Sequence, residues 1–245
     1  MMREEVNPKT YFWAYDIFGY LLPGVLVVVG FAKGNQWVHD NVSSHWNSSS
    51  VMNVVVLIGA AYVVGHLVAA LSSYALERLA LRWTLGYPTG RMFSSTLPWW
   101  CYPLKICFPG YFRAYSKFFR ERVNQCLTET FGMAPGDDHD RFWLAWSYIS
   151  LHHPAAFKRA THFLELYGFS RNMSMGFFLV ALNPWLPYWR TPMPTKDWFL
   201  ISVLSGWIMF VNYTKLLRRL NDEVYRGFVV CSTGVNIERM TETKE

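Results

Sequence analysis

His66, Ser73 and Glu77 stand in "YVVGHLVAALSSYALERL", residues 62–79, directly behind a run of Val, Leu, Ile and Ala. With Ala70 they follow the spacing i, i+4, i+7, i+11, which is one stripe of a helix. An imidazole, a hydroxyl and a carboxylate along one stripe suit a proton or ion path, a gate, or a set of hydrogen bonds to a neighbouring helix. Other polar groups fall at matching positions in the chain. If residues 11–32 and 51–73 both cross a membrane, Asp16 lies about one turn inside the first span. His66 lies fifteen residues into the second, about 22 Å at 1.5 Å per residue. That leaves His66 about 8 Å short of the far side of a 30 Å hydrocarbon layer, close to the depth of Asp16. Arg171 and Asn172 open a third apolar segment at the same boundary, and Asn212 closes a fourth. A polar group in hydrocarbon is costly unless paired. The stripe is therefore expected to face the bundle interior and to meet Asp16 and Arg171. Two readings stay open: an interhelical hydrogen-bond cluster that fixes register, and an ion or proton path.

Catalytic patterns are missing. There is no Gly-rich phosphate loop with a following Lys and no Gly-x-Ser-x-Gly elbow. "GDDHD", 136–140, crowds its carboxylates into one turn and reads as a helix cap rather than a metal site. His152 and His153 are adjacent and so point to different faces of a helix. "FKRATHF" reads as a solvated face. Cys101, Cys107, Cys126 and Cys231 lack zinc-knuckle spacing and are expected to be reduced and structural. The chain reads as non-enzymatic, with no cofactor and no metal.

The elements that position these groups follow from the apolar runs. Of 245 residues, 16% are charged and 18% aromatic, and there are twelve Trp. Trp and Tyr favour the membrane–water boundary. Four segments approach the roughly 20 apolar residues that a helical span needs. They are 11–32, 51–73, the shorter 172–189, which ends in Pro and Trp, and 197–213. Residues 33–50 carry one cation, Lys33, and 190–196 carry Arg190 and Lys196. Twelve lie from Arg78 to Arg171, and six more follow Tyr213. Lys and Arg collect on the cytoplasmic side. The distribution fits four spans with both termini and the middle block in the cytoplasm. It also accounts for the net charge of +6 without nucleic acid, because these cations would border an anionic leaflet. The opening "MMREEVNPKTY" is mixed in charge and the apolar run behind it lacks a small-residue cleavage site, so no cleavable signal peptide is expected.

The expected organisation is an all-α polytopic membrane protein in three parts. Residues 1–83 form a first transmembrane hairpin, 84–170 a cytoplasmic helical domain, and 171–245 a second hairpin with a cytoplasmic tail. In the first span "GYLLPG" holds Tyr20, Pro23 and Gly24. Pro removes a backbone donor and kinks a helix, and the freed carbonyl must find a neighbour or water. That is either a hinge or a tolerated kink. Gly59, Ala60, Ala61 and Gly65 allow another helix close approach. In the loop 33–50, Trp37 and Trp46 are expected boundary anchors. In the cytoplasmic block, "GYFRAYSKFFRERVNQCLTETFG" places Phe112, Tyr115, Phe119, Val123 and Cys126 on one helix face. "DRFWLAWSYISLHH" is the next helix, and Pro154 starts another. "TLPWWCYPLKICFPG", 96–110, is irregular and aromatic, lying at the inner membrane surface or under a helix.

Four motifs form a set: "YDIFGYLLPG" at 15–24, "YVVGHLVAALSSYALE" at 62–77, "LELYGFSRNMSMGFFL" at 164–179 and "LNDEVYRGF" at 220–228. Together the chain resembles a loose group of uncharacterised bacterial inner-membrane proteins, some encoded near antiviral defence genes. The resemblance implies an accessory or effector component of the membrane. Two functions are expected from these observations. One is an effector or anchor that assembles with itself, as a homo-oligomer, or with a soluble cytoplasmic partner protein, and perturbs or gates the lipid bilayer. The other is a channel or transporter subunit that uses Asp16, His66 and Arg171.

Overall fold

The run "VMNVVVLIGAAYVVGHLVAALS" contains no residue that stops a helix and few that could be solvated, and it folds as one uninterrupted helix, Val51–Ser72. The structure is a computed structural model and describes residues 16–34, 51–94, 96–132, 137–182 and 196–242. Every regular element among the described residues is helical and none is a strand, as the all-α expectation requires. In chain order they are α1 (Leu22–Gly34, preceded by a π-helical turn Ile17–Leu21), α2 (Val51–Ser72, continued by a π-helical stretch Ser73–Leu85), α3 (Pro88–Phe93), α4 (Cys101–Cys107), α5 (Lys117–Phe131), α6 (Asp138–His152), α7 (Pro154–Leu182) and α8 (Lys196–Glu242).

Two helices are long and apolar enough to cross a membrane, the one that begins at Val51 and the one through 197–233. The apolar part of the first span is shorter, Ile17–Ala32. Residues 11–15 of that span, and Trp37 and Trp46 after it, lie outside the described residues. The expected third span, 172–189, is not a helix of its own. Residues 172–182 end α7, whose start at Pro154 suits a ring that needs no N–H partner in a first turn. Residues 183–189 lie outside the described part.

The chain forms two compact units. One comprises Met1–Ala80 and Gly168–Tyr213, the other Leu81–Tyr167 and Thr214–Glu245. The tail beyond Tyr213, expected to group with the last hairpin, thus belongs with the middle block.

In the first unit the usual burial pattern is reversed. Val54, Val55, Val56, Ile58, Val63 and Leu67 of α2 are exposed, as are Leu200, Ile201, Leu204 and Ile208 of α8. Only 22% of the most apolar stretch of the helix beginning at Val51 is buried. Ser72, Ser170, Arg171, Asn172, Ser174 and Ser202 are buried instead. A core helix of a water-soluble domain shows the opposite pattern. Helix contact depends on small residues. A Cβ on Gly24 would stand 2.8 Å from both the Ala61 carbonyl carbon and the Gly65 nitrogen, and one on Gly65 would stand 2.6 Å from the Tyr20 carbonyl carbon. Backbone thus lies against backbone where α1 and its preceding turn cross α2.

The second unit has an ordinary apolar core, with Val123, Leu127, Ile149, Val224, Tyr225 and Phe228 buried. Its local signals are conventional. Ser116 caps α5 by accepting from the Phe119 N–H at 3.2 Å. Asp137 caps α6 by accepting from Asp140 at 2.8 Å, the role expected of that acidic turn. Gly132, at φ 76°, ends α5 in the left-handed conformation that favours glycine. The Ser116 cap also starts α5 later than the sequence suggested. Phe112 and Tyr115 therefore precede the helix instead of sharing its face, although Val123 and Cys126 do face the core.

Candidate functional site

Pro23 has no N–H, so it cannot donate to the carbonyl of Gly19, four residues back in the chain. The Asn172 side chain fills that place. Its Nδ2 donates to the Gly19 oxygen at 2.8 Å. The backbone around this point is π-helical, Ile17–Leu21, and returns to α-helix at Leu22. Single π turns of this kind are frequent at functional positions. The carbonyl freed in the turn before α1 is thus satisfied from α7.

Asn172 is fully buried and uses its other end as well. Ser72 Oγ lies 2.6 Å from Asn172 Oδ1 and 2.8 Å from the Ala69 carbonyl, so its single proton is shared between two acceptors. Arg171 Nε donates to the same Oδ1 at 3.4 Å. Arg171 Nη1 pairs with Glu77 Oε2 at 2.6 Å, with 11% of the arginine side chain and 24% of the glutamate exposed. Ser73 Oγ donates to that carboxylate oxygen at 3.4 Å. Asn212 Nδ2 donates to Ser170 Oγ at 2.9 Å, one residue before Arg171. Ser174 Oγ donates to the Gly206 carbonyl at 2.8 Å. One turn of α7, from Ser170 to Ser174, therefore hydrogen-bonds to α8, to α2 with its continuation, and to the turn before α1.

Arg171, Asn172, Glu77, Ser73 and Asn212 of the sequence-derived set join this network. His66 does not face the interior. It is exposed and stacks on Tyr20 at 4.1 Å, with Tyr62 edge-on at 4.6 Å. Asp16 is half-buried at the head of the first helix, and no hydrogen bond joins it to His66. The interior stripe of α2 is Ala61, Gly65, Val68, Ala69 and Ser72, one residue away from the expected one. The close crossing at Gly65 selects that face, and one residue is about 100° of helix rotation. From Ser73 the wider π turn moves the phase again, which lets Glu77 reach Arg171 although Ser73 is exposed. Gly24 is a contact point for α2, and Pro23 is the origin of the accepting carbonyl. Sequence reasoning missed Ser72 and Gly19. Ser72 was visible beside Ser73, and Gly19 is found by counting four residues back from Pro23.

The arrangement offers two opposite charges and a chain of amides and hydroxyls within an apolar unit. Among the described residues no three His, Cys, Asp or Glu side chains gather to hold a metal.

The second unit has its own polar set, which the sequence did not disclose. Arg218 donates to the Tyr111 carbonyl at 2.6 Å and to the Arg113 carbonyl. Arg120 donates to the Phe93 carbonyl at 2.7 Å, and the Tyr111 hydroxyl to the Gly86 carbonyl at 2.7 Å. The Tyr115 hydroxyl donates to Asp222 at 2.9 Å, and Arg226 takes the other carboxylate oxygen at 2.9 Å. Burial pushes the Tyr111 phenol well above its ordinary pKa. Burial, followed by the Asp222 carboxylate, does the same for Tyr115. Both act as neutral donors. These bonds satisfy backbone carbonyls along an irregular connection, which is a scaffolding role.

No protein-family model, no curated protein and no solved structure matches this chain.

Proposed function

We propose that the chain is a four-span protein of the bacterial inner membrane, with both termini and residues 84–170 in the cytoplasm. In this reading it is a non-enzymatic effector or anchor. It assembles with itself or with a soluble cytoplasmic partner and perturbs or gates the bilayer. One observation carries the reading: the first unit exposes its valines, leucines and isoleucines and buries serine, asparagine and arginine. That pattern suits a helix bundle with lipid as its solvent, because hydrocarbon accepts the apolar exterior and forces polar groups to pair inside. The loop cations support the orientation. The effector role rests on the resemblance of the four sequence motifs to a group of bacterial inner-membrane proteins, some encoded near antiviral defence genes.

Topology reporters test the placement. A fusion at residue 130 is expected to report cytoplasm, and one at residue 40 periplasm. A periplasmic residue 130, or recovery of the intact chain in buffer without detergent, overturns it. Purified protein in liposomes tests the action: leakage of an entrapped dye that rises with assembly supports an effector.

The second reading, a channel or transporter subunit, is favoured by the Arg171–Glu77 pair and its attached amides within the apolar unit. Ion flux that changes selectivity on Glu77→Gln, in vesicles that exclude larger dyes, supports it. Vesicles that stay tight to ions rule it out.

A further inference from the structure

The second unit presents an aromatic surface that its own packing leaves uncovered. Trp99 is 80% exposed and Ile106 86%, and Trp100 and Tyr102 between them are exposed too. These residues stand on α4 and on the turn that leads into it. The helix is fixed from its inner side, where Cys101 and Phe108 are buried. Arg91 donates to the Leu85 carbonyl at 2.8 Å and reaches Cys101 Sγ at 3.7 Å, tying α4 to the end of the preceding long helix. The rings are thus held outward by an anchored base.

The charge along this part of the chain has one sign. No Asp or Glu occurs between Glu77 and Glu121, while that interval holds seven Lys and Arg. Lys105 lies on the surface itself, with Nζ 4.7 Å from the centre of the Tyr102 ring. Rings with one polar atom, a long apolar side chain and a lysine at the rim match the chemistry of a membrane–water boundary. A basic stretch of chain without acids is attracted to anionic headgroups. We propose that residues 99–107 dock on an anionic lipid surface at headgroup level. The inference rests on the membrane reading above and adds to it a lipid-contacting site in the second unit.

Cys107 gives a direct probe, because it is exposed whereas Cys101 and Cys126 are buried. The full chain carrying Cys231→Ser is labelled at Cys107 with an environment-sensitive dye. It is then placed in nanodiscs of phosphatidylcholine with about 30% phosphatidylglycerol. The reference is a label on Thr130→Cys in a Cys107→Ser, Cys231→Ser background, at an exposed position of α5. The Cys107 label is expected to be quenched by a lipid spin label near the headgroup. Iodide in the buffer should quench it several-fold less than the reference. Trp99→Ser with Trp100→Ser, in protein that still elutes as a single species, should restore iodide quenching. Equal iodide quenching of the two labels overturns the inference while leaving the membrane reading intact. Shielding from iodide without lipid quenching also overturns it, and assigns the surface to a protein. A chain that stays in buffer and does not enter discs sinks the membrane reading itself.

Discussion

Replacing Asn172 by Leu removes the donor that serves the Gly19 carbonyl. In the native chain that oxygen receives Asn172 Nδ2 at 2.8 Å, and Pro23 cannot replace the bond. A buried acceptor left bare costs about 1–3 kcal/mol. Ser72 is less affected, since its hydroxyl keeps the Ala69 carbonyl at 2.8 Å. Polar contacts between membrane helices average nearer 0.6 kcal/mol, because the unfolded chain also finds partners. Asn172→Leu is therefore expected to destabilise by about 1–3 kcal/mol, towards the upper end if the first unit excludes water. The diagnostic variant is Pro23→Ala. It restores an N–H four residues after Gly19, so alone it should change stability little, and with Asn172→Leu it should recover about 1 kcal/mol. A four-way cycle of parent, two single variants and the double, unfolded with SDS in mixed micelles, isolates that coupling. Additivity within about 0.5 kcal/mol, or an Asn172→Leu protein as stable as the parent, refutes the assignment of the carbonyl to Asn172.

Gly24→Ala is expected to cost about 1–3 kcal/mol, because its Cβ meets the backbone of Ala61 and Gly65 and no rotamer can move aside. Gly59→Ala, which meets nothing within 4 Å, should leave the thermal midpoint in detergent unchanged or slightly higher, and equal effects at the two sites would refute the close crossing. His153 should make stability fall on acidification. Burial, then neighbouring His152, lowers its pKa below the ordinary histidine value, and its Nε2 is buried with no hydrogen-bond partner among the described residues. The unfolded chain therefore binds the proton first. The contribution of this group is complete above about pH 6.5, the ordinary histidine value, and declines as pH falls through it. Denaturant midpoints measured across that range should show a shallower decline in His153→Gln, and an unchanged slope would count against the assignment.

The elements were legible where one local signal had no competitor. The valine-rich run predicted α2, Pro154 predicted the start of α7, and the acidic turn at Asp137 predicted a cap. Each is decided within a few residues of chain. The connection 94–116 was not legible for the opposite reason. Its Tyr111 and Arg113 carbonyls are satisfied by Arg218, and Tyr115 of the same segment bonds Asp222, so its path depends on groups up to 107 residues away. Arginine bound to backbone oxygens leaves no spacing pattern. The charge count read these residues only as cations bordering an anionic leaflet.

Some of the residues that make the polar network were legible in the sequence, whereas its geometry was not. Matched depth brought Arg171, Asn172 and Asn212 to one level and helical spacing singled out Glu77, and these four make hydrogen bonds in the first unit. The error lay in rotation about α2, and it arose from treating the hydrophilic positions as those that choose the face. In a helix surrounded by apolar neighbours the smallest residues choose it, because only they allow the backbones to touch. Gly65 and Ala61 fix the crossing, Ser72 is carried to Asn172 by the same rotation, and His66 is turned to Tyr20 on the outside. Glu77 still arrives at Arg171 because the helix widens at Ser73, a change of pitch that spacing rules built on 3.6 residues per turn do not contain. The same order of precedence applies to the first helix. Gly24 sets where it may lie, and Pro23 then decides which of its oxygens Asn172 must satisfy.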